Sequence, residues 1–216
     1  MNRRIAFYGG TFDPVHLGHM DVAKAVVRLF ELDEFIFIPA FHAPHKSGSK
    51  PTSAFHRFAM LCEASDSVNG TSVSAIEVEL PEKPYTIETI GRLKKIYPKE
   101  RLFMVIGADS WQEITTWRDW EGVLTEVDVI VVTRPGYKIG FDHVTQSIRE
   151  RIVDLRNKNE SGTDISERSI FITDTAYTDI SASAIRRAIR EGDGRWRNLV
   201  DEQVRLHVDK YRLYVS

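Results

Sequence analysis

The feature that most constrains the fold is a regular alternation between short apolar runs and longer stretches with helical spacing. Runs rich in β-branched and aromatic residues, bounded by Gly, Pro, Asp or Asn, predict six strands. They lie at 3–9, 34–40, 71–80, 101–107, 127–133 and 169–174. The stretches between them carry apolar residues at steps of three and four, which is typical of amphipathic helices.

Strands that alternate with helices predict a parallel sheet covered on both faces. We therefore expect a doubly wound, Rossmann-like α/β fold whose ligands bind at the carboxyl ends of the strands. A chain of 216 residues is long enough for one well-buried core, so we expect one domain over 1–216. The polar segment 136–167 is predicted to be a surface connection with a helix near 144–155. The C-terminal portion, from about 181 to 216, should be helical and packed on the sheet, with its last helix at 199–214.

Charge and composition argue against several classes of function. A formal net charge of -2, from 29 Lys+Arg and 31 Asp+Glu, lacks the basic footprint of a nucleic-acid-binding protein. No apolar run reaches membrane-spanning length and no signal-peptide pattern is present, so we expect a cytoplasmic protein that engages no membrane. The single Cys62 excludes an internal disulfide and is interpreted as a small buried hydrophobe.

The stretch GGTFDPVHLGH at 9–19 follows the first predicted strand and leads into a helix over 17–30. Missing side chains at Gly9 and Gly10 allow either a close ligand approach or a tight turn. His16 and His19 lie three residues apart, on one face of the first helical turn. That turn carries unpaired N–H groups and a partial positive charge, so the pair predicts a polyphosphate site; hydrogen-bonded core histidines are the alternative.

A zinc site is a weaker interpretation of the histidines. His42 and His45 repeat the HxxH spacing, and histidine is a common metal ligand. The first pair lies in a glycine-rich turn, however, and the second lies beside Lys46 in a proline-bounded loop. Neither pair resembles a closed ligand cage, and we predict no metal held by protein side chains.

Several motifs together resemble one family. GGTFDPVHLGH is similar to the HxGH signature of nucleotidyltransferases. The motifs PAFHAPHK, YTIET, GADSWQEITTW, TRPGY and ISASAIR follow in the order seen in bacterial nicotinate mononucleotide adenylyltransferases, and they cover most of the chain. The resemblance implies a nucleotidyltransferase-type fold and transfer of the adenylyl group of ATP to nicotinate mononucleotide. The products are then nicotinate adenine dinucleotide and pyrophosphate, in NAD biosynthesis.

The resemblance also implies roles for individual residues. The catalytic set is His16, His19, Lys46 and Arg186. The ATP-binding set is Gly9, Gly10, Thr11, Phe12, Gly18, Ile180, Ser181 and Ser183. The acceptor-binding set is Thr86, Gly107, Asp109, Trp117, Arg134 and, less strongly, His45. Trp117 would stack on the nicotinate ring, and the backbone around Thr86 and Trp117 would receive its carboxylate. The family also has an arginine at Arg57, which by itself is no more than a cation on a helix face.

The segment ISASAIR has the signals of a helix start. With Ser181 as N-cap, Ile180 and Ile185 occupy the positions of a hydrophobic staple, and the first-turn N–H groups remain open to a phosphate. Two residues depart from the family pattern. Ala182 replaces a hydroxyl residue, and Asp201 stands where Pro is frequent, which bears on how the last helix begins.

No protein nucleophile is required, because the substrate phosphate can itself attack the α-phosphorus of ATP. Mg²⁺ is the expected cofactor, held mainly through substrate phosphates. Two alternatives stay open: a sister HxGH adenylyl- or cytidylyltransferase with another acceptor, and a module that senses nucleotides without turnover. ATP and nicotinate mononucleotide are the expected partners, and a homo-oligomer is compatible with the sequence.

Overall fold

The computed structural model describes residues 2–41, 52–134, 136–156, 168–175 and 178–215. Within these ranges the strands are β1 Arg4–Gly10, β2 Glu34–Pro39, β3 Thr71–Val73, β4 Arg101–Gly107, β5 Asp128–Val132, β6 Ile152–Asp154 and β7 Ile170–Thr173. The helices are α1 Leu17–Phe30, α2 Ala54–Ser65, α3 Thr86–Ile96, α4 Ala108–Gln112, α5 Trp120–Glu126, α6 Gln146–Arg149, α7 Ala182–Arg190 and α8 Glu202–Tyr211. No helix in the described ranges is both long enough and apolar enough to cross a bilayer.

The strands form one sheet in the order β3-β2-β1-β4-β5-β7-β6. Every neighbouring pair is parallel. From β1 the chain proceeds outward to β2 and β3, and it then returns to place β4 on the other side of β1. The strand order therefore reverses between β1 and β4, where an open α/β sheet forms its ligand crevice. The predicted doubly wound fold is confirmed.

Side chains alternate between the two faces of the sheet, as the pleat requires. In β1, Ala6 belongs to one apolar cluster, while Ile5 and Phe7 belong to the other. The first cluster includes buried residues of α1, α2, α7 and α8, and the second includes buried residues of α3, α4, α5 and α6. Both faces are therefore covered, which explains why the central strands read as nearly continuous apolar runs.

The last helix is shorter than its predicted range of 199–214. Asp201 is its N-cap, and the carboxylate accepts the backbone N–H of Gln203 at 2.9 Å. Asp is a favoured N-cap residue, so a well-capped start replaces the proline that is frequent in the family. Val204 and Val208 are buried in the first cluster, and α8 lies against α2.

Two predicted elements were wrong in extent or type. The strand predicted at 71–80 ends at Val73, because the Ser74 hydroxyl accepts the N–H of Ile76 and the chain enters turns. Val78 is buried, so apolar packing of a turn produced the alternation in the sequence.

Cys62, interpreted from the sequence as a small buried hydrophobe, is half-buried. Burial raises the pKa of its thiol.

The helix predicted near 144–155 is instead the short α6 followed by β6. Ile152 and Val153 are β-branched, and β6 pairs in parallel with β7. The segment is also not a simple surface connection, because Val144, Ile148 and Leu155 are each only 3% exposed. Val144 precedes α6, Ile148 lies within it and Leu155 follows β6, so their helical spacing does not come from one helix.

Candidate active site

Two adjoining cavities open at the carboxyl ends of β1, β4 and β5. The histidine cavity, of about 660 Å³, contains His16 and His19 in its wall. The tryptophan cavity, of about 420 Å³, contains Trp117. Both are lined by Tyr8, Thr11, Gly107 and Asp109, so the two cavities share one wall. They lie at the point where the strand order reverses, as expected for this class of sheet.

Most of the predicted site residues line one cavity or both. The histidine cavity is lined by Thr11, Phe12, His16, Gly18, His19, Gly107, Asp109, Arg134, Ile180, Ser181 and Arg186. The tryptophan cavity is lined by Gly9, Gly10, Thr11, Thr86, Gly107, Asp109 and Trp117. Ser183 lines neither cavity; it is exposed, with its hydroxyl 3.3 Å from that of Ser181. Lys46 and His45 lie outside the described residues.

The glycines near the cavities have two different roles. A Cβ added at Gly9 or Gly107 would meet no heavy atom within 4 Å, so at both positions the cavity reaches the backbone. A Cβ at Gly10 would lie 2.8 Å from Cζ of Phe12, whose ring is only 3% exposed. The absence of a side chain at Gly10 thus leaves room for the buried ring of Phe12.

The two histidines form a stacked pair at the start of α1. His16 is the N-cap and His19 lies three residues later, with ring centroids 3.7 Å apart and an interplanar angle of 22°. The backbone N–H of His16 donates to Nδ1 of His19 at 3.2 Å. Because Nδ1 of His19 is an acceptor, the proton of the neutral ring must lie on Nε2, where it is free to be donated to a ligand.

Burial controls the charge of both rings. Phe12 packs edge-on against His19, with centroids 4.9 Å apart, and Tyr8 lies edge-on at 6.2 Å. Burial lowers the pKa of His16 to about 4, and burial together with repulsion from His16 holds the pKa of His19 well below its usual range. Both imidazoles are therefore neutral at pH 7, and the pair offers N–H donors without positive charge. Nδ1 of His16 is buried without a hydrogen-bond partner in the described part of the chain.

The N-terminus of α7 also lines the histidine cavity, through Ser181 and Ala182. Ser181 is its N-cap, and the hydroxyl oxygen accepts the N–H of Ala184 at 3.2 Å, as predicted. The hydroxyl proton remains available to a ligand. Ile185 is fully buried and Ile180 packs against the same cluster, in agreement with the expected staple. Arg186 reaches across to donate Nη1 to the backbone oxygen of Asp13 at 2.5 Å.

Arg134 is already engaged. Its guanidinium forms an ion pair with Asp179 at 2.7 Å, and both side chains are more than half exposed. A substrate phosphate would have to compete with this carboxylate. An exposed pair contributes at most about 1 kcal/mol, so the competition is weak.

The tryptophan cavity combines an aromatic face with a helix N-terminus. Trp117 is half-buried, and Thr86 is the first residue of α3, where backbone N–H groups lack partners within the helix. A carboxylate placed there would meet free donors and the positive end of the helix dipole. The N–H of Trp117 itself already donates to Ile114 at 2.9 Å, which shifts the expected carboxylate contact toward α3.

Sequence reasoning missed further polar residues of this cavity, among them Glu77, Lys83, Thr89 and Ser110. The Thr89 hydroxyl donates to Oε1 of Glu77 at 2.7 Å, and burial raises the pKa of Glu77. Glu77 lies within the predicted strand 71–80, and it was assigned no role from the sequence.

Arg57 was also underestimated. It is fully buried, and its guanidinium donates to the backbone oxygens of Thr52, Thr11, Ala40 and Phe41 at 3.0, 2.6, 2.6 and 3.1 Å. It therefore holds the loops after β1 and β2 together beside the cavities. Its place in a helical sequence, HRFAMLCEA, carries no signal that distinguishes it from a surface cation.

The described residues contain no group of three or more His, Cys, Asp or Glu arranged to hold a metal ion. Asp109 is an exposed carboxylate in the shared wall of the two cavities. This donor set fits a cation that keeps its waters and binds mainly to substrate phosphates, as Mg²⁺ does.

Comparison with known proteins places this site in a family. The cytidylyltransferase-like family model matches residues 7–188. A probable nicotinate-nucleotide adenylyltransferase of Desulfitobacterium hafniense is 33% identical over 98% of this chain and 96% of its own. One of Desulfatibacillum aliphaticivorans is 32% identical over 98% of this chain and 100% of its own.

Solved structures agree on the fold. Plasmodium falciparum nicotinic acid mononucleotide adenylyltransferase complexed with NaAD superposes with a TM-score of 0.74 at 18% identity, over 99% of this chain and 98% of the other. The complex of that protein with APC gives 0.73 at 19% identity over the same shares. The family model matches residues 7–188, and the alignments with the relatives at 32% and 33% identity each cover 98% of this chain. This chain belongs to the cytidylyltransferase-like family and, within it, to the nicotinate-nucleotide adenylyltransferases.

Proposed function

We propose that this chain transfers the adenylyl group of ATP to nicotinate mononucleotide. The observation that carries the proposal is the shared wall of the two cavities at Gly107 and Asp109. ATP would occupy the histidine cavity and the mononucleotide the tryptophan cavity, so that their phosphates meet at this wall. The relatives named as nicotinate-nucleotide adenylyltransferases support the assignment.

In the proposed reaction an oxygen of the mononucleotide phosphate attacks the α-phosphorus of ATP. A new P–O–P linkage forms between the two nucleotides. The bond between the α-phosphorus and the oxygen that bridges it to the β-phosphate breaks, and pyrophosphate leaves with that electron pair. Holding two reactants in line can supply roughly 7 to 11 kcal/mol, so alignment alone can account for much of the rate. Each well-aimed donor adds about 3 kcal/mol.

The position of each side chain sets which part of the substrates it would contact. Nε2–H of His19, the N–H of Gly18 and the Ser181 hydroxyl would donate to the triphosphate. The N–H groups of Leu17 and His19 already donate to the backbone oxygens of Leu199 and His16. Arg186 and Lys46 would offset the charge on the departing pyrophosphate. Mg²⁺ arriving with ATP would offset further phosphate charge, and the exposed Asp109 would accept ribose hydroxyls.

Separate parts of the tryptophan cavity would recognise the pyridine ring and the carboxylate of the acceptor. Trp117 would stack on the pyridine ring, which is worth about 0.5–1.5 kcal/mol beyond the area it buries. The first-turn N–H groups of α3, beginning at Thr86, would receive the carboxylate. A carboxamide has no negative charge to meet the helix dipole, so we infer a preference for nicotinate over nicotinamide mononucleotide.

The test is release of pyrophosphate from ATP in the presence of nicotinate mononucleotide, with nicotinamide mononucleotide and phosphopantetheine as competing acceptors. We expect release to depend on the nicotinate compound and to stop when EDTA removes Mg²⁺. In Trp117→Ala the KM for nicotinate mononucleotide should rise at least tenfold. The KM for ATP should stay within about twofold, because Trp117 lines only the acceptor side.

Release that follows phosphopantetheine instead would identify a sister transferase. Tight nucleotide binding without any release would favour a sensing module. Either result would reject the proposed function.

A further inference from the structure

Asp13 is the point at which three distant parts of the chain meet. It lies in the loop between β1 and α1 and is 5% exposed. Its Oδ1 accepts the hydroxyl of Tyr214 at 2.7 Å, and its Oδ2 accepts the N–H of Thr52 at 3.3 Å. Its backbone oxygen accepts Nη1 of Arg186 at 2.5 Å. The loop that leads to His16 is therefore held from three sides through one residue.

The buried cation beside Asp13 shows why this carboxylate is needed. Arg57 is fully buried, and a buried guanidinium is stable only when its N–H groups are satisfied and its charge is balanced. Four of its five N–H groups donate to backbone oxygens. Burial lowers the pKa of Arg57, and the Asp13 carboxylate opposes that change. Asp13 thus balances the charge of the residue that joins the loops after β1 and β2.

Tyr214 reaches this network from the far end of the chain. Helix α8 ends at Tyr211. Its C-cap, Arg212, has a left-handed φ of 51°, and Tyr214 has a φ of 68°. A left-handed φ at a non-glycine residue costs on the order of 1–3 kcal/mol and persists only where surrounding contacts hold it. The two residues turn the chain back toward the cavities. Burial raises the pKa of Tyr214, so its hydroxyl stays protonated and donates to Asp13.

We propose that Tyr214 is a positioning residue for ATP, acting through Asp13 on the loop that presents His16 and on the carbonyl that holds Arg186. The identity of the ligand rests on the proposed function. Asp13 lines the histidine cavity but not the tryptophan cavity, so the effect is confined to the ATP side.

The experiment compares Tyr214→Phe with Tyr211→Phe. Tyr211 lies three residues earlier, is 48% exposed and packs against His56 and His207, so this variant also removes a hydroxyl from the C-terminal segment. The affinity for α,β-methylene-ATP is measured by titration calorimetry, and KM is measured for both substrates. We expect the analogue to bind roughly five- to tenfold more weakly to Tyr214→Phe, the size of one lost hydrogen bond of ordinary strength. The KM for nicotinate mononucleotide and all constants of Tyr211→Phe should match wild type.

Unchanged affinity for the analogue in Tyr214→Phe would overturn the proposal. So would an equal loss for both substrates together with a lower melting temperature, since that pattern marks general destabilisation. The binding measurement needs no turnover. A wild-type protein that binds the analogue without releasing pyrophosphate would therefore reject the proposed function and still decide the role of Tyr214.

Discussion

At the scale of single residues, the two histidines show what a spacing can and cannot predict. Their three-residue separation at a helix start predicted that both lie on one face, and both line the histidine cavity. Their charge was not predictable, because it depends on the rings of Tyr8 and Phe12, which reach the pair through the tertiary fold. Burial leaves His16 and His19 as neutral donors, and the positive charge must come from Arg186 and the helix dipole.

Replacing His19 by Ala should lower kcat by about 10²- to 10³-fold, by analogy with the loss of one oxyanion donor. His19→Asn is the matched control for stability, because its amide oxygen can still accept the N–H of His16. We expect both variants to lose turnover in a pyrophosphate-release assay while the Asn variant unfolds at the wild-type urea concentration. Turnover close to wild type in either variant would remove Nε2 of His19 from the mechanism.

Stability should depend on the pH through His16. Its pKa is about 4 in the folded protein and 6.5 in the unfolded chain, so between these values only the unfolded chain binds the proton. The free energy of unfolding is therefore unaffected above pH 6.5 and falls as the pH drops toward 4. At pH 5 the loss due to His16 should be about 2 kcal/mol.

Urea unfolding at pH 7.5 and pH 5.0 measures this loss, with His16→Asn as the control that cannot titrate. The control should lose about 2 kcal/mol less than wild type between the two values. Equal losses in the two proteins would show that the His16 ring is solvated in the folded state.

At the scale of elements, the loop between β1 and α1 contains two adjacent glycines with opposite reasons for being glycine. Gly9 faces open cavity, and Gly10 leaves room for the ring of Phe12. Gly9→Ala should therefore keep wild-type stability and raise the KM for nicotinate mononucleotide, because Gly9 lines the tryptophan cavity. Gly10→Ala should lower the free energy of unfolding by about 1–3 kcal/mol, the usual cost of overpacking. Thermal unfolding and KM measured on the same two proteins test this, and the opposite pattern would contradict the assignment.

The N-caps of α7 and α8 form a second matched pair. Ser181 and Asp201 each accept a first-turn backbone N–H, but only Ser181 lines a cavity. Replacing either by Ala should cost about 1 kcal/mol of stability. Only Ser181→Ala should also raise the KM for ATP. Calorimetric unfolding and steady-state kinetics separate the two effects, and a raised KM in Asp201→Ala would argue against a purely structural cap.

The elements that the sequence did predict are those with several residues of one period. Helix α1 matches its predicted bounds of 17–30 because its apolar spacing runs the full length of the helix. The edge strands β3 and β6 were misjudged because three residues are too few to show a period. Neighbouring turns and a short helix supplied misleading apolar positions instead.

At the scale of the whole molecule, the sheet joins the two apolar clusters. Neighbouring residues of one strand belong to different clusters, as with Ala6 and Phe7. If the strands unfold, both clusters therefore lose part of their packing at once. We propose that residues 1–216 are one domain and unfold as one unit. Calorimetric and van't Hoff enthalpies of unfolding should agree. Two resolved transitions would instead indicate a separate C-terminal unit.

The parts of the site that escaped sequence analysis depend on this global arrangement. Arg57 donates to carbonyl groups of the two loops after β1 and β2, and Tyr214 donates to Asp13, which lies 201 positions away in the chain. Neither contact leaves a local pattern of spacing or composition. The motifs GGTFDPVHLGH, GADSWQEITTW and TRPGY begin at the carboxyl ends of β1, β4 and β5, where the parallel sheet itself brings them together.

Both borders of the sheet end in strands of only three residues, Thr71–Val73 and Ile152–Asp154. An exposed edge strand can pair with a strand of a second molecule. A very short edge strand has too few unpaired N–H and C=O groups to form a stable set of backbone hydrogen bonds. Asp154 is also tied to Arg156, which adds charge at one of the two margins. Self-association by continuing the sheet from one molecule to the next is therefore disfavoured, and a multimer of this chain should be sought at its helical faces.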